Sequence, residues 1–121
     1  MANALVIDDN RQMASSVCEM LKVLGVTPQA VYGPRDAIIM AQKNTPDIVF
    51  LDINMPGVDG FEVLSYLKRM PGLSEVPVVI VTSDDQPETA EKAKSKGALC
   101  LIIKPLSFDE LEKVLQDTKL I

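Results

Sequence analysis

Ile48-Val49-Phe50-Leu51-Asp52-Ile53-Asn54-Met55-Pro56-Gly57 reads as four apolar residues that stop on a carboxylate and run into a turn. Residues 48–51 show no polar alternation, the pattern of a strand covered on both faces, and such strands belong to parallel sheets. Four further apolar runs lie outward of it, at 4–7, 29–32, 76–81 and 99–103, rich in Val, Ile and Leu. Amphipathic stretches separate them. Met13, Val17, Leu21 and Leu24 repeat at helical spacing, opened by Asn10 as an N-cap and closed by Gly25. Gly33-Pro34 opens a second helix, with Pro34 suited to a first helical position. Phe61, Leu64 and Leu67 mark a third before Pro71-Gly72. A fourth follows Asp84-Asp85-Gln86-Pro87 and ends before Gly97. The last carries a capping box, Ser107 with Glu110, and then Leu111, Val114 and Leu115 on one face.

Five strands alternating with five helices predict an α/β fold of right-handed βαβ units, its parallel sheet covered on both sides. With 121 residues and no linker or repeat, one domain over 1–121 is expected, with no output domain in this chain. The composition, 47% hydrophobic and 24% charged, is that of an ordinary globular domain. No apolar run approaches the roughly 20 residues of a membrane span. No basic segment followed by a long apolar one opens the chain, so no membrane association and a cytoplasmic location are expected. A net charge of −5 argues against direct nucleic-acid binding. Cys18 and Cys100 lack metal or redox spacing and are expected as buried thiols, not a disulfide. The chain contains no histidine, which excludes Ser-His-Asp chemistry and histidine metal sites and leaves any covalent or metal chemistry to carboxylates, Lys, Ser/Thr or Cys.

The polar residues at the strand ends stand out. Asp8 and Asp9 follow the first strand, Asp52 the third, Thr82 closes the fourth and Lys104 the fifth. In a parallel sheet these ends share one edge, and ligands bind there at the crevice where strand order reverses. If the first and third strands are neighbours, three carboxylates converge, and such like charges need a cation beside them to stay ionised. Magnesium suits a few carboxylates completed by water and phosphate oxygens. Lys104 adds a fixed positive charge and Thr82 a hydroxyl donor, so the set suits phosphoryl transfer to a carboxylate. Asp52 is the best nucleophile, since the Asp8-Asp9 pair is better used as the metal anchor. Singly, each residue reads as well as a cap, a turn or a β-former; jointly, matched polar groups at four strand ends are improbable by chance.

These residues resemble the receiver domains of two-component response regulators, including stand-alone chemotaxis-type regulators. The likeness spans the chain: Asp8-Asp9, the run from Pro46 through Asp52 to Gly60, the run from Pro77 to Thr82-Ser83, Gly97-Ala98 and Lys104-Pro105. Thr82 lies 30 residues after Asp52 and Lys104 lies 22 after Thr82, spacings similar to the family's. The resemblance implies a flavodoxin-like, doubly wound five-stranded sheet of order 2-1-3-4-5. It implies phosphorylation of Asp52, with Mg2+ (or Mn2+) held by Asp8, Asp9, Asp52 and the backbone carbonyl of Asn54. Thr82 and Lys104 would contact the phosphoryl group, Ser83 would leave room for Thr82 to move, and the bond before Pro105 would be cis. The donor would be a histidine kinase or histidine phosphotransfer protein. Output would pass through the face of the fourth helix, fifth strand and fifth helix to a downstream target or output domain, as monomer or phosphorylation-dependent dimer. The chain would be no enzyme beyond its part in its own phosphorylation and autodephosphorylation.

Two departures matter. Leu101 stands three residues before Lys104, where the family usually places its switch aromatic, and Leu106 stands where a Phe is common. Leu101 leaves the usual threonine–aromatic readout without its ring. Asn54 and Asp84, each two residues past Asp52 and Thr82, are polar and able to orient water, so moderately fast self-dephosphorylation is expected. Lys92, Lys94 and Lys96 make the fourth helix basic, either to dock an acidic partner or as a plain solvated surface. An aspartate-nucleophile phosphatase would need a second Asp where Asn54 stands. A flavin-binding protein would place phosphate where Asp8-Asp9 repel it. A phosphorylation-independent pseudo-receiver interaction module is the remaining alternative.

Overall fold

The computed structural model describes residues 1–121. Its elements alternate as β1 Asn3–Ile7, α1 Arg11–Val23, β2 Thr27–Val31, α2 Pro34–Lys43, β3 Ile48–Asp52, α3 Gly60–Arg69, β4 Val78–Thr82, α4 Pro87–Ser95, β5 Cys100–Ile103 and α5 Phe108–Asp117. The strands form one parallel sheet in the order β2-β1-β3-β4-β5, the flavodoxin-like arrangement. β1 and β3 pair directly, with Ile7 opposite Leu51, so the chain reverses its winding between them. That places the crevice at the ends of β1 and β3.

Successive strand residues point to opposite faces, and here both faces are covered. Leu5, Ile7, Val49, Leu51 and Ile80 join one core with Ala37 and Ala41 of α2, Val63, Leu64 and Leu67 of α3, and Ala93 of α4. Ala4, Val6, Ile48, Phe50, Val79 and Val81 join the other with Ala14, Val17 and Leu21 of α1 and Leu111, Val114 and Leu115 of α5. This is why β3 and β4 read as unbroken apolar runs. β2, at the edge, alternates between exposed and half-buried residues before Val31.

Every strand differs from its apolar run by one or two residues at one end or both. β2 begins at Thr27 and so includes Pro28, which an edge strand tolerates because one of its sides has no partner. β4 begins at Val78: Pro77 has no N–H to give, although its carbonyl accepts from Val49 N at 2.9 Å. Asp52 is the last residue of β3 itself. Cys18 and Cys100 are unpaired and half-buried, and desolvation pushes both thiols up. No helix is long and apolar enough to cross a membrane.

The starts of α1, α3 and α5 are capped by short polar side chains. Asn10 Oδ1 accepts from Met13 N at 3.0 Å, Asp59 Oδ1 accepts from Phe61 N at 3.0 Å, and Ser107 and Glu110 form their reciprocal box. The start of α3 also lies against the loop that follows β3. A Cβ on Gly60 would stand 2.4 Å from Ile53 Cα, so only glycine lets α3 begin there. Gly60→Ala is therefore expected to destabilise the fold by about 2 kcal/mol, the order of an overpacked core, measured by urea denaturation. An unchanged midpoint would show that the loop yields freely.

Candidate functional site

Asp8 lies one residue beyond β1 and Asp52 ends β3; the two carboxylates are almost fully buried, 4% exposed each. Backbone amides two residues on hold one oxygen of each. Asn10 N donates to Asp8 Oδ1 and Asn54 N to Asp52 Oδ1, both at 2.9 Å. The other two oxygens turn to a shared cation. Lys104 Nζ lies 3.3 Å from Asp8 Oδ2 and 3.4 Å from Asp52 Oδ2. Lys104 is itself anchored by its backbone N–H, which donates to Thr82 O at 2.8 Å, and the following peptide, Lys104–Pro105, is cis. Asp9 is exposed, at the solvent side. Carboxylate oxygens of Asp8, Asp9 and Asp52 all lie within 4.8 Å of one another, an all-oxygen donor set that suits a hard divalent cation.

Burial pushes the Asp8 carboxyl above the ordinary aspartate range, and the charge of Asp52 adds to this. The Asn10 amide and Lys104 pull in the opposite direction and offset it in part. One lysine thus leaves the cluster short of positive charge.

Thr82 is fully buried at the end of β4. Its hydroxyl donates to Asn54 Oδ1, while Asp84 N donates to Thr82 Oγ1 at 3.1 Å. The side chain of Asp84 is turned elsewhere: Oδ1 accepts from Gln86 N at 2.9 Å and Oδ2 from Thr89 Oγ1 at 2.7 Å. The Thr89 hydroxyl foremost, then the Gln86 amide, hold Asp84 below the usual carboxylate range. Ser83 is exposed beside this network. Leu101 is half-buried in the core shared with Ala93 and Ala98, and Leu106 is buried against the α1–α5 side.

The structure thus brings together Asp8, Asp9, Asp52, Asn54, Thr82 and Lys104, while Asp84 reaches the group only through its backbone. Sequence reading missed Thr89. Its only signal is a hydroxyl in the first turn of a helix five residues after an Asp, a spacing common by chance.

Comparison with known proteins follows the same lines. The family described as "Response regulator receiver domain" matches residues 4–116. "Protein PilH" of Pseudomonas aeruginosa is 31% identical over 115 residues, covering 95% of each chain. "Transcriptional regulatory protein ZraR" of Salmonella typhimurium is 31% identical over 93% of this chain, which spans 25% of that protein. Among solved structures, the Vibrio cholerae chemotaxis protein CheY4 superposes with a TM-score of 0.91 at 29% identity over 98% of both chains.

The elevated Asp8 yields a pH prediction. Its folded-state pKa lies above its unfolded value, so protonated Asp8 favours folding at low pH, and that contribution is lost as pH rises through the folded value. In chelator-treated buffer Asp8→Asn is expected to melt higher than wild type at neutral pH. The gap should shrink as pH falls to the ordinary aspartate value of about 4. A variant less stable than wild type at pH 7 would mean that the Lys104 ion pair outweighs burial.

Proposed function

The chain belongs to the response regulator receiver domain family of two-component systems, and from that premise we propose that Asp52 accepts a phosphoryl group from a phosphohistidine on a kinase or phosphotransfer protein. The observation that carries this reading is the position of Asp52: buried, one oxygen fixed by the Asn54 amide, the other beside Lys104, at the crevice where the winding reverses.

In the transfer, an Asp52 oxygen forms the new bond to phosphorus as the nitrogen–phosphorus bond of the donor breaks, its electron pair staying on the donor imidazole. Charge then lies on the three equatorial oxygens. Lys104 meets one of them by exchanging a carboxylate partner for a phosphoryl oxygen. The Thr82 hydroxyl meets another by turning from Asn54, which leaves the Asn54 side chain to solvent. The donor set fits Mg2+ or Mn2+: three carboxylates within 4.8 Å with a single ammonium among them, and Asp9 open to water. Asp8, Asp9, Asp52 and the Asn54 carbonyl would hold the ion, which supplies positive charge to the phosphoryl oxygens.

The message then leaves through α4, β5 and α5. Leu99, Ile103 and Phe108 are exposed there, a surface suited to a downstream protein or output domain. Lys92 is engaged before any partner arrives, its Nζ 4.6 Å from the centroid of the Phe61 ring. With Leu101 packed into the core, the message has no aromatic ring to carry it, and the β4–α4 loop becomes the moving part.

Incubation with acetyl phosphate and Mg2+, read by intact mass, tests the proposal; the chain has no tryptophan to report by fluorescence. One phosphoryl adduct is expected on wild type, none without Mg2+ and none on Asp52→Asn. No adduct from acetyl phosphate or from a kinase would favour a phosphorylation-independent interaction module. In the same buffer Mg2+ at a hundredfold excess over its Kd should stabilise wild type by about 2.7 kcal/mol and Asp8→Asn by far less. Equal melting shifts in the two proteins would place the ion elsewhere.

A further inference from the structure

The Asp84 carboxylate stands at a fork. Its own backbone N–H is hydrogen-bonded to Thr82 Oγ1, and Thr82 in turn reaches Asn54, whose amide holds Asp52. A side chain rooted there can turn toward the crevice or toward α4. It is turned toward α4, and two bonds keep it so. The contact from Gln86 N is local, an Asx-type turn that engages one oxygen and leaves the other free. The contact from Thr89 Oγ1, at 2.7 Å, engages that second oxygen and ties it to the first turn of α4. Gln86 provides no side-chain cap for this helix, and a negative charge near its start is favoured by the helix dipole. Of the two donors to Asp84, Thr89 supplies the one side-chain bond that ties it to α4.

We propose that Thr89 is a positioning residue: its hydroxyl holds Asp84 away from the crevice and so lengthens the life of a phosphoryl group on Asp52. The inference rests on the phosphoacceptor reading above. Loss of the phosphoryl group by hydrolysis requires a water oxygen to bond to phosphorus while the bond from phosphorus to the Asp52 oxygen breaks. Its electron pair returns to the Asp52 carboxylate, and one water proton must be taken up. A carboxylate at the mouth of the site is the group to accept that proton and pass it to the departing phosphate. Asp84 is the nearest in the chain to Thr82, and with both oxygens occupied it is withheld from that role. Its depressed pKa agrees with a carboxylate already well provided with donors. Of the two polar residues, Asn54 and Asp84, on which moderately fast self-dephosphorylation is expected, the clamp would withhold Asp84 and so slow the rate.

The test is the half-life of the phosphoryl adduct after acetyl phosphate is removed, followed by intact mass at constant Mg2+. Thr89→Val keeps the shape and deletes the hydroxyl, and is expected to shorten the half-life about fivefold, the equivalent of roughly 1 kcal/mol for one hydrogen bond. Thr89→Ser restores the hydroxyl and should return the wild-type half-life. In an Asp84→Ala background Thr89→Val should add nothing. An unchanged half-life in Thr89→Val overturns the proposal. So does an acceleration that persists without Asp84, which would show a general loosening of α4. Failure of wild type to form any adduct is a separate result, and it would remove the phosphoacceptor reading together with this one.

Discussion

Asp8 and Asp52 face each other because β1 and β3 are paired in register, and two buried carboxylates that close repel. Much of the site answers that repulsion. Backbone amides at Asn10 and Asn54 bend the chain just past each strand to meet one oxygen apiece. Lys104 reaches from the end of β5, past β4, to stand between the remaining two. A lysine can do this because its charge sits at the end of a long flexible stem, and because its backbone is pinned to Thr82. Even so, burial leaves Asp8 above its ordinary range. The cluster therefore remains short of positive charge, and its arrangement suits a further cation.

The sheet and both layers of helices were legible because covering both faces of a strand demands an unbroken apolar run, and β1, β3 and β4 supply it. The edge strands were less so. β2 alternates in burial, and its first two residues, Thr27 and Pro28, carry no apolar signal. The strand-end residues Asp8, Asp52, Thr82 and Lys104 could be read because parallel topology sends every strand end to one edge. What joins them laterally could not. The bond from Thr82 to Asn54 and the turn of Asp84 toward Thr89 depend on the path of two loops and on side-chain rotamers, which no periodicity encodes.

Leu101 marks a departure in packing as well as in sequence. It is half-buried against the core cluster that includes Ala93 of α4 and Ala98. A leucine there has no ring to exchange between an inward and an outward position. Hydrogen bonds run instead from Asn54 through Thr82 and Asp84 to α4.

Pro28 bears on how the protein behaves in a crowded solution. The amide of Thr27 points inward to Ala2 O, so in an alternating strand the nitrogens of Gln29 and Val31 point inward as well. Pro28 and Ala30 point outward, and proline has no hydrogen to offer. The free margin of the sheet on this side thus exposes a single strand donor, at Ala30, to any extended chain that approaches it. A foreign strand pairing there loses the bond that residue 28 would otherwise donate, so Pro28 disfavours edge-to-edge extension of the sheet at this rim.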